Sequence, residues 1–261
     1  MLQDFAAVAS GVAVGGVLGL IGAGGSIMAL PLIYFVVGVG SQHVAVGTSA
    51  VAVAASALMS LAGHARARTV RWRYALVFAA SGVAGAFAGS LAGKAVPGKF
   101  LLGLFGLLMI AVGIKMLLPG KASREKTALA ENTLAQQLPR LAGYGLAVGF
   151  LSGFFGIGGG FLIVPGLISA TAMPILNAIG SSLVSVAAFG ATSAASYAYS
   201  GLVDWRVAGF FIAGGAMGAI LGLSASLYLG KNERILKSLF AALVIAVGCF
   251  VAVDQAMKWF S

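Results

Sequence analysis

Residues 5–21, 44–63, 74–93 and 100–118 contain no Asp or Glu and only one basic residue, Lys115. Each stretch is about as long as the roughly 17–25 residues that cross a bilayer as α-helix. Within a bilayer the backbone has to satisfy its own polar groups, and packed helices do so segment by segment. Composition points the same way: 60 % of the 261 residues are hydrophobic and 8 % charged, against about 25 % charged in a soluble domain. The chain reads as an all-α polytopic membrane protein of ten apolar segments. They lie at about 4–21, 27–40, 43–63, 73–93, 100–118, 140–156, 161–173, 177–199, 206–229 and 235–253. The start, MLQDF, has no basic n-region, so no secretory signal is expected.

The segments fall into two copies of one plan. "GLIGAGGSIMALP" (19–31) matches "GFFGIGGGFLIVP" (153–165) at an offset of 134, with Gly19, Gly22, Gly24, Gly25 and Pro31 answered by Gly153, Gly156, Gly158, Gly159 and Pro165. Further on, Gly47-Thr48-Ser49 answers Gly180-Ser181-Ser182, and Val70, Trp72 and Arg73 answer Val203, Trp205 and Arg206, at an offset of 133. Gly82, Gly85 and Gly89 answer Gly215, Gly218 and Gly222, and Ala111-Val112-Gly113 answers Ala246-Val247-Gly248. The domain plan is therefore a first repeat over 1–118, a polar linker over 119–139 and a second repeat over 140–261.

Five segments is an odd number, so the second repeat is expected upside down relative to the first. Lysine and arginine test this, because they collect on the cytoplasmic side. With the turn 64–73 (Arg66, Arg68, Arg71, Arg73) inside, twelve of the 16 basic residues lie inside, the linker's and those of 230–237 included. Only Lys94, Lys99, Arg206 and Lys258 lie outside. The expected location is the cell's inner membrane, multi-pass, with both termini outside and the linker cytoplasmic. The formal charge of +10 then records orientation rather than a nucleic-acid partner.

Segments 27–40 and 161–173 would reach only about 20 Å as helix, against a hydrocarbon core of about 30 Å. Each follows a glycine cluster and carries a proline. The economical reading pairs segments 1–2 and 6–7 as broken or re-entrant hairpins whose glycine turns sit within the membrane. Non-helical backbone at that depth requires burial in protein or a wet cavity, and matched interruptions in inverted repeats point to a transport site near the midplane. Both short helices present N-termini at the break, each equivalent to roughly +0.5 charge and rich in free N–H donors for an anion.

The candidate substrate-binding residues are accordingly Gly24, Gly25, Ser26, Gly158, Gly159 and Gly160, with the repeated hydroxyls Thr48, Ser49, Ser181 and Ser182 completing an oxyanion cage. The hydroxyls are equally well read as helix glue. Gln42, His43 and Asn177 are candidate gate residues, or polar caps at the interface. The glycine stripes Gly11, Gly15, Gly19 and Gly82, Gly85, Gly89, Gly93 read as close-packing positions, and the glycine-lined segments 73–93 and 206–229 are expected to pack within one chain or across a homodimer. His64 is expected at the interface beside the arginines, Trp72 and Trp205 in aromatic belts, and the one cysteine, Cys249, in a buried packing role. With no cysteine or histidine cluster, paired carboxylates or Walker A motif, neither an enzyme nor a cofactor or metal is expected. No Asp or Glu lies mid-segment, which disfavours a carboxylate proton relay.

The "GxGGG…P" run, the following "GTS" and "GSS", the "DWR" turn and the closing "AVG" resemble the TauE/SafE family of sulfite exporters. The second half carries the likeness at Gly156, Gly158, Gly159, Gly160, Pro165, Gly180, Ser181, Ser182, Gly201, Asp204, Trp205 and Arg206, the first at Gly22, Gly24, Gly25, Pro31, Gly47, Thr48, Ser49 and Trp72. The first half departs from the pattern at Ser26 and at "TVRW", and Ser181 stands where threonine is more usual. The resemblance implies export of sulfite or an organosulfonate across the inner membrane. Set against a secondary transporter are a passive anion channel and a non-transporting membrane scaffold.

Overall fold

The structure is a computed structural model that describes residues 2–117, 134–155, 160–229, 238, 241–242 and 244–253; its elements are helices, with no strand among the described residues. In chain order they are α1 (Leu2–Ile21), α2 (an interrupted helix over 22–36), α3 (Gln42–Arg66), α4 (Trp72–Ala95), α5 (Gly98–Leu117), α6 (Leu134–Phe155), α7 (Gly160–Thr171), α8 (Ile175–Tyr199), α9 (Trp205–Leu229) and α10 (Val244–Val253). Six are long and apolar enough to cross a membrane, and shorter apolar helices account for the remaining segments. This is an all-α polytopic membrane protein. Helix α6 starts at Leu134, inside the expected linker, and carries Pro139 in its second turn; the rest of the linker, up to residue 133, lies outside the described residues.

The helices pair across the two halves of the chain. α1 lies along α9, and α4 lies along α6; α3 crosses α8, with α9 against α3 and α8 against α4. Exchanging each helix for its counterpart in the other half leaves this list unchanged, so the duplication read from the glycines is also a duplication of contacts. Small residues set how close the partners come. A Cβ on Gly11, Gly15 or Gly19 would run into the backbone of Phe211, Gly215 or Ala219 in turn, and one on Gly85, Gly89 or Gly93 into the backbone of Leu146, Phe150 or Phe154. Both series rise together, so α1 runs parallel to α9 and α4 parallel to α6. Backbone-to-backbone approach of this kind is how helices gain packing energy where lipid is as apolar as leucine. The glycine-lined helices α4 and α9 therefore pack within the chain, against α6 and α1.

α3 and α8 form the centre. Gly190 lies against Ala54, Gly47 against Tyr197, and Gly180 against Thr69 beyond the end of α3, so the two helices run antiparallel. Around them Phe78, Phe105, Phe155, Phe189 and Phe211 are fully buried, and Phe78 stacks on Phe189 with ring centres 6.4 Å apart. The outer faces carry exposed Phe87, Leu107, Met217 and Ile220, apolar side chains that suit lipid contact. Trp72 and Trp205, at the first positions of α4 and α9, are exposed as belt residues would be. Cys249 departs from expectation: it is exposed on α10 rather than buried. An apolar face turned to hydrocarbon needs no burial in protein, so hydrophobic context alone does not separate the two.

Candidate functional site

α1 ends where Gly22 takes up a left-handed conformation, φ 68°, and turns the chain back on itself. From there α2 passes through three hydrogen-bond registers: a 3₁₀ stretch over Gly22–Met28, one α-turn over Ala29–Pro31 and a π-turn over Leu32–Val36. The π register is visible where the Val37 N–H donates to the Leu32 carbonyl at 2.9 Å. Pro31 has no N–H to continue an α ladder, and such changes of register inside helices accompany functional segments. The counterpart α7 is a continuous α-helix of 12 residues with Pro165 inside it, so the register changes around Pro31 are not repeated around Pro165.

Gly25 lies against the preceding helix: a Cβ there would meet the backbone of Leu18 and Val17 in α1. Its absence lets the chain fold back against α1, which is a packing role before it is a ligand role. Ser26, the next residue, is fully buried. The 3₁₀ stretch, rather than the later turns of α2, packs on α7. Of the second cluster, Gly160 opens α7, while Gly158 and Gly159 lie outside the described residues.

The repeated hydroxyls divide their work in the same way in both halves. The Thr48 hydroxyl accepts from the Asp204 N–H at 2.9 Å, and the Ser181 hydroxyl from the Arg71 N–H at 2.8 Å. Each thus holds the turn that precedes the fourth helix of the other repeat. Ser49 and Ser182 donate back to the carbonyls of Val46 (2.8 Å) and Ile179 (2.7 Å) within their own helices, the usual recourse of a hydroxyl in a membrane helix. The two pairs are not brought together. Gly47 is level with Tyr197 at one end of the α3–α8 pair and Ser181 is near the other, which separates them by about 25 Å at 1.5 Å per residue. A single cage drawing on both is too large for a small oxyanion.

What the structure does bring together is a cluster at the Ser181 end. Gly22 lies where a Cβ would touch the Ser182 hydroxyl and the Ile179 carbonyl. The Asn177 amide donates to the Thr69 carbonyl at 2.9 Å. His64 is fully buried rather than interfacial, because its Nε2 donates to the Gly19 carbonyl (3.0 Å) and its Nδ1 lies 2.9 Å from the Thr69 hydroxyl. Glycine turn, α8 start and α3–α4 turn are thereby tied into one polar patch. Sequence pattern alone does not single out His64 and Thr69 as site residues. The repeat alignment held a signal, since they stand opposite Tyr197 and Leu202 and are polar where the other copy is aromatic and apolar.

Gln42 and His43 sit at the opposite end, where the Gln42 amide reaches the Tyr34 hydroxyl at 3.5 Å and His43 Nε2 lies 3.2 Å from the Val96 carbonyl. Both contacts stay within the first repeat. Close to that end, the half-buried Lys94 ammonium donates to the Ser196 and Ser200 hydroxyls at 3.0 and 3.2 Å and lies over the Tyr197 ring. Several hydroxyls inside the bundle, among them the repeat counterparts Ser60 and Ser193, are buried with no hydrogen-bond partner among the described residues.

A helical bundle whose halves interlock, with an interrupted second helix, defines the class first: a polytopic all-α membrane protein. The family follows from comparison. Residues 7–251 match the family model described as "Sulfite exporter TauE/SafE", and the chain belongs to that family. A "Probable membrane transporter protein" of Xylella fastidiosa (strain 9a5c) is 47 % identical over 244 residues, covering 94 % of this chain and 93 % of that one. "Probable membrane transporter protein YunE" of Bacillus subtilis (strain 168) is 26 % identical over 260 residues, 93 % and 94 % of the two chains. No solved structure matches the chain. The protein is a multi-pass membrane transporter.

Proposed function

We propose that this protein is a secondary transporter that exports a small sulfur oxyanion, sulfite or an organosulfonate, through the inner membrane. The observation that carries the reading is the 3₁₀ stretch Gly22–Met28, with Gly22, Gly25, Ser26 and Ile27 buried, packed on α7. In a 3₁₀ turn the first N–H groups have no carbonyl to bond within the turn, and donors of that kind suit an anionic head group. The family's name supplies sulfite as the first substrate to try.

The repeats are inverted in this reading. Consecutive spans alternate, so the first and fourth helices of one repeat run oppositely. α1 parallel to α9, and α4 parallel to α6, fit a second repeat turned over. Both termini then face outward, and the Arg-rich turn and the linker face the cytoplasm. The two hydroxyl clamps, Thr48 on Asp204 and Ser181 on Arg71, close opposite ends of the α3–α8 axis. Opening one while the other holds gives alternating access by rocking of the repeats. Outward movement of one negative charge from an interior-negative cell gains about 2.3 kcal/mol per 100 mV, so export of a monoanion needs no coupled ion.

Radiolabelled sulfite flux into proteoliposomes of the purified protein, under an imposed potential and with isethionate, sulfate and chloride as competitors, tests the reading. Saturable, potential-sensitive flux with counterflow is expected. Flux without saturation or counterflow would make the protein an anion channel, and folded protein without any anion flux would leave a membrane scaffold.

A further inference from the structure

The turns before α4 and before α9 are one turn built twice. Arg68 N–H donates to Ala65 and Thr69 N–H to His64 (both 3.1 Å); Gly201 N–H donates to Ala198 and Leu202 N–H to Tyr197 (both 3.0 Å). Arg68 and Gly201 are both left-handed, φ 56° and 69°, and Arg71 and Asp204 both donate their N–H to a hydroxyl of the facing helix. The backbone does not need arginine, since the second copy makes the same turn with Gly201 and Asp204. In places it tolerates arginine poorly. A left-handed residue other than glycine is strained, and Arg71 replaces the aspartate whose Oδ1 accepts the Val207 N–H at 3.0 Å.

Charge separates the two turns further. Arg66, Arg68, Arg71 and Arg73 are all exposed, and none is in an ion pair among the described residues. At the other end Arg206 is paired with Asp4 at 2.9 Å, and Asp204 stands where Arg71 would. The arginine turn rests on α8 through Asn177 and Ser181, and the next residue, Ser182, lies beside the Gly22 turn.

We propose that Arg66, Arg68 and Arg71 are the collecting mouth of the transport path, concentrating the substrate oxyanion on one face of the membrane only, so that the two faces differ in apparent affinity. This rests on the oxyanion-transporter reading above. A surface lined by one sign of charge raises local counter-ion concentration and association rate, whereas a near-neutral turn does not. Orientation of the chain does not require these residues: with Arg68 and Arg71 removed, the expected cytoplasmic side still carries ten basic residues against four.

The molecule supplies its own test variant. Arg68→Gly with Arg71→Asp copies the turn before α9 into a backbone with the same hydrogen bonds and the same left-handed position. Sulfite flux is measured in proteoliposomes of scored orientation, with sulfite offered to either face, in phosphatidylcholine vesicles and in vesicles containing phosphatidylglycerol. For sulfite offered to the arginine face we expect KM to rise roughly tenfold, the low end of what focused fields achieve, with the maximal rate unchanged. KM at the other face stays as in the wild type while the maximal rate from that face falls, because an uncoupled carrier loses maximal rate over KM by the same factor in both directions. Raised salt lifts the wild-type KM at the arginine face toward that of the variant. An unchanged KM in correctly oriented variant overturns the proposal and leaves the arginines to orientation alone. A lower maximal rate for sulfite offered to the arginine face, with KM there unchanged, overturns it as well, by making the turn a structural strap. An effect confined to phosphatidylglycerol vesicles overturns it in favour of lipid head groups. Wild-type protein that carries no sulfite from either face brings down the transporter reading itself, and this inference with it.

Discussion

Glycine does different work in the α1–α9 seam and in the turn at the end of the same helix α1. Along the seam, Gly11, Gly15 and Gly19 lie on one stripe and face another helix's backbone. In the turn, Gly22 reverses the chain and Gly25 faces the helix it has just left. The seam fixes where two continuous helices stand, while the turn decides where a helix stops being one. Composition cannot distinguish the two uses, but spacing can: period four in the first, clustering before a proline in the second.

The contrast can be broken most severely at Gly15. Gly15→Leu forces a side chain into the backbone of Gly215; overpacking costs about 1–3 kcal/mol or more, and here neither backbone can give way. We expect no monodisperse protein by size-exclusion chromatography in detergent. Its neighbour Gly16 has as its nearest contact the Gly218 carbonyl at 3.7 Å, so Gly16→Ala should elute and melt as wild type. If the two variants behave alike, the seam as described is wrong.

Gly25→Ala comes next. The collision with Leu18 is with backbone, and a loss of about 1–3 kcal/mol is expected, measured as a lowered melting temperature together with reduced sulfite flux. A fully stable variant with lost flux would show that the glycine serves the ligand and not the fold.

The hydroxyl clamps should be weaker and independent of each other. Thr48→Val and Ser181→Ala each remove the acceptor of one backbone N–H, worth about 1–3 kcal/mol if that donor is left unsatisfied. At a separation of about 25 Å along the α3–α8 axis their effects should add. Strong non-additivity in the double variant would mean that the two ends are coupled more tightly than rocking repeats require. The smallest effect belongs to Gly143→Ala, where nothing lies within 4 Å and the change should stay within about 0.5 kcal/mol.

Most of the fold was legible because its causes are local. The charge-free runs set the helices, the offset of 133 to 134 set the duplication, and the glycine stripes marked the seams that α1–α9 and α4–α6 now show. The site was legible in part. The break after Ile21 was readable from Gly22 and Pro31, but its 3₁₀ and π registers were not, since they depend on what α2 packs against. Thr48 and Ser181 were found as a repeated pair, yet their partners, Asp204 and Arg71, lie 156 and 110 residues away in the chain. His64 was misplaced for a related reason. Its burial depends on the Gly19 carbonyl 45 residues earlier, a contact no local pattern encodes.

The central claim is that a small sulfonate or sulfite reaches the 3₁₀ stretch between α1 and α7. Ser26→Cys, made in a Cys249→Ala background, puts a thiol at that place with little change in size. The measurement is its rate of modification by the anionic reagent 2-sulfonatoethyl methanethiosulfonate, with and without isethionate. The account predicts that the sulfonate reagent reacts faster than its trimethylammonium analogue and that isethionate slows it several-fold. A new thiol that both reagents modify equally, with no protection by isethionate, would contradict it.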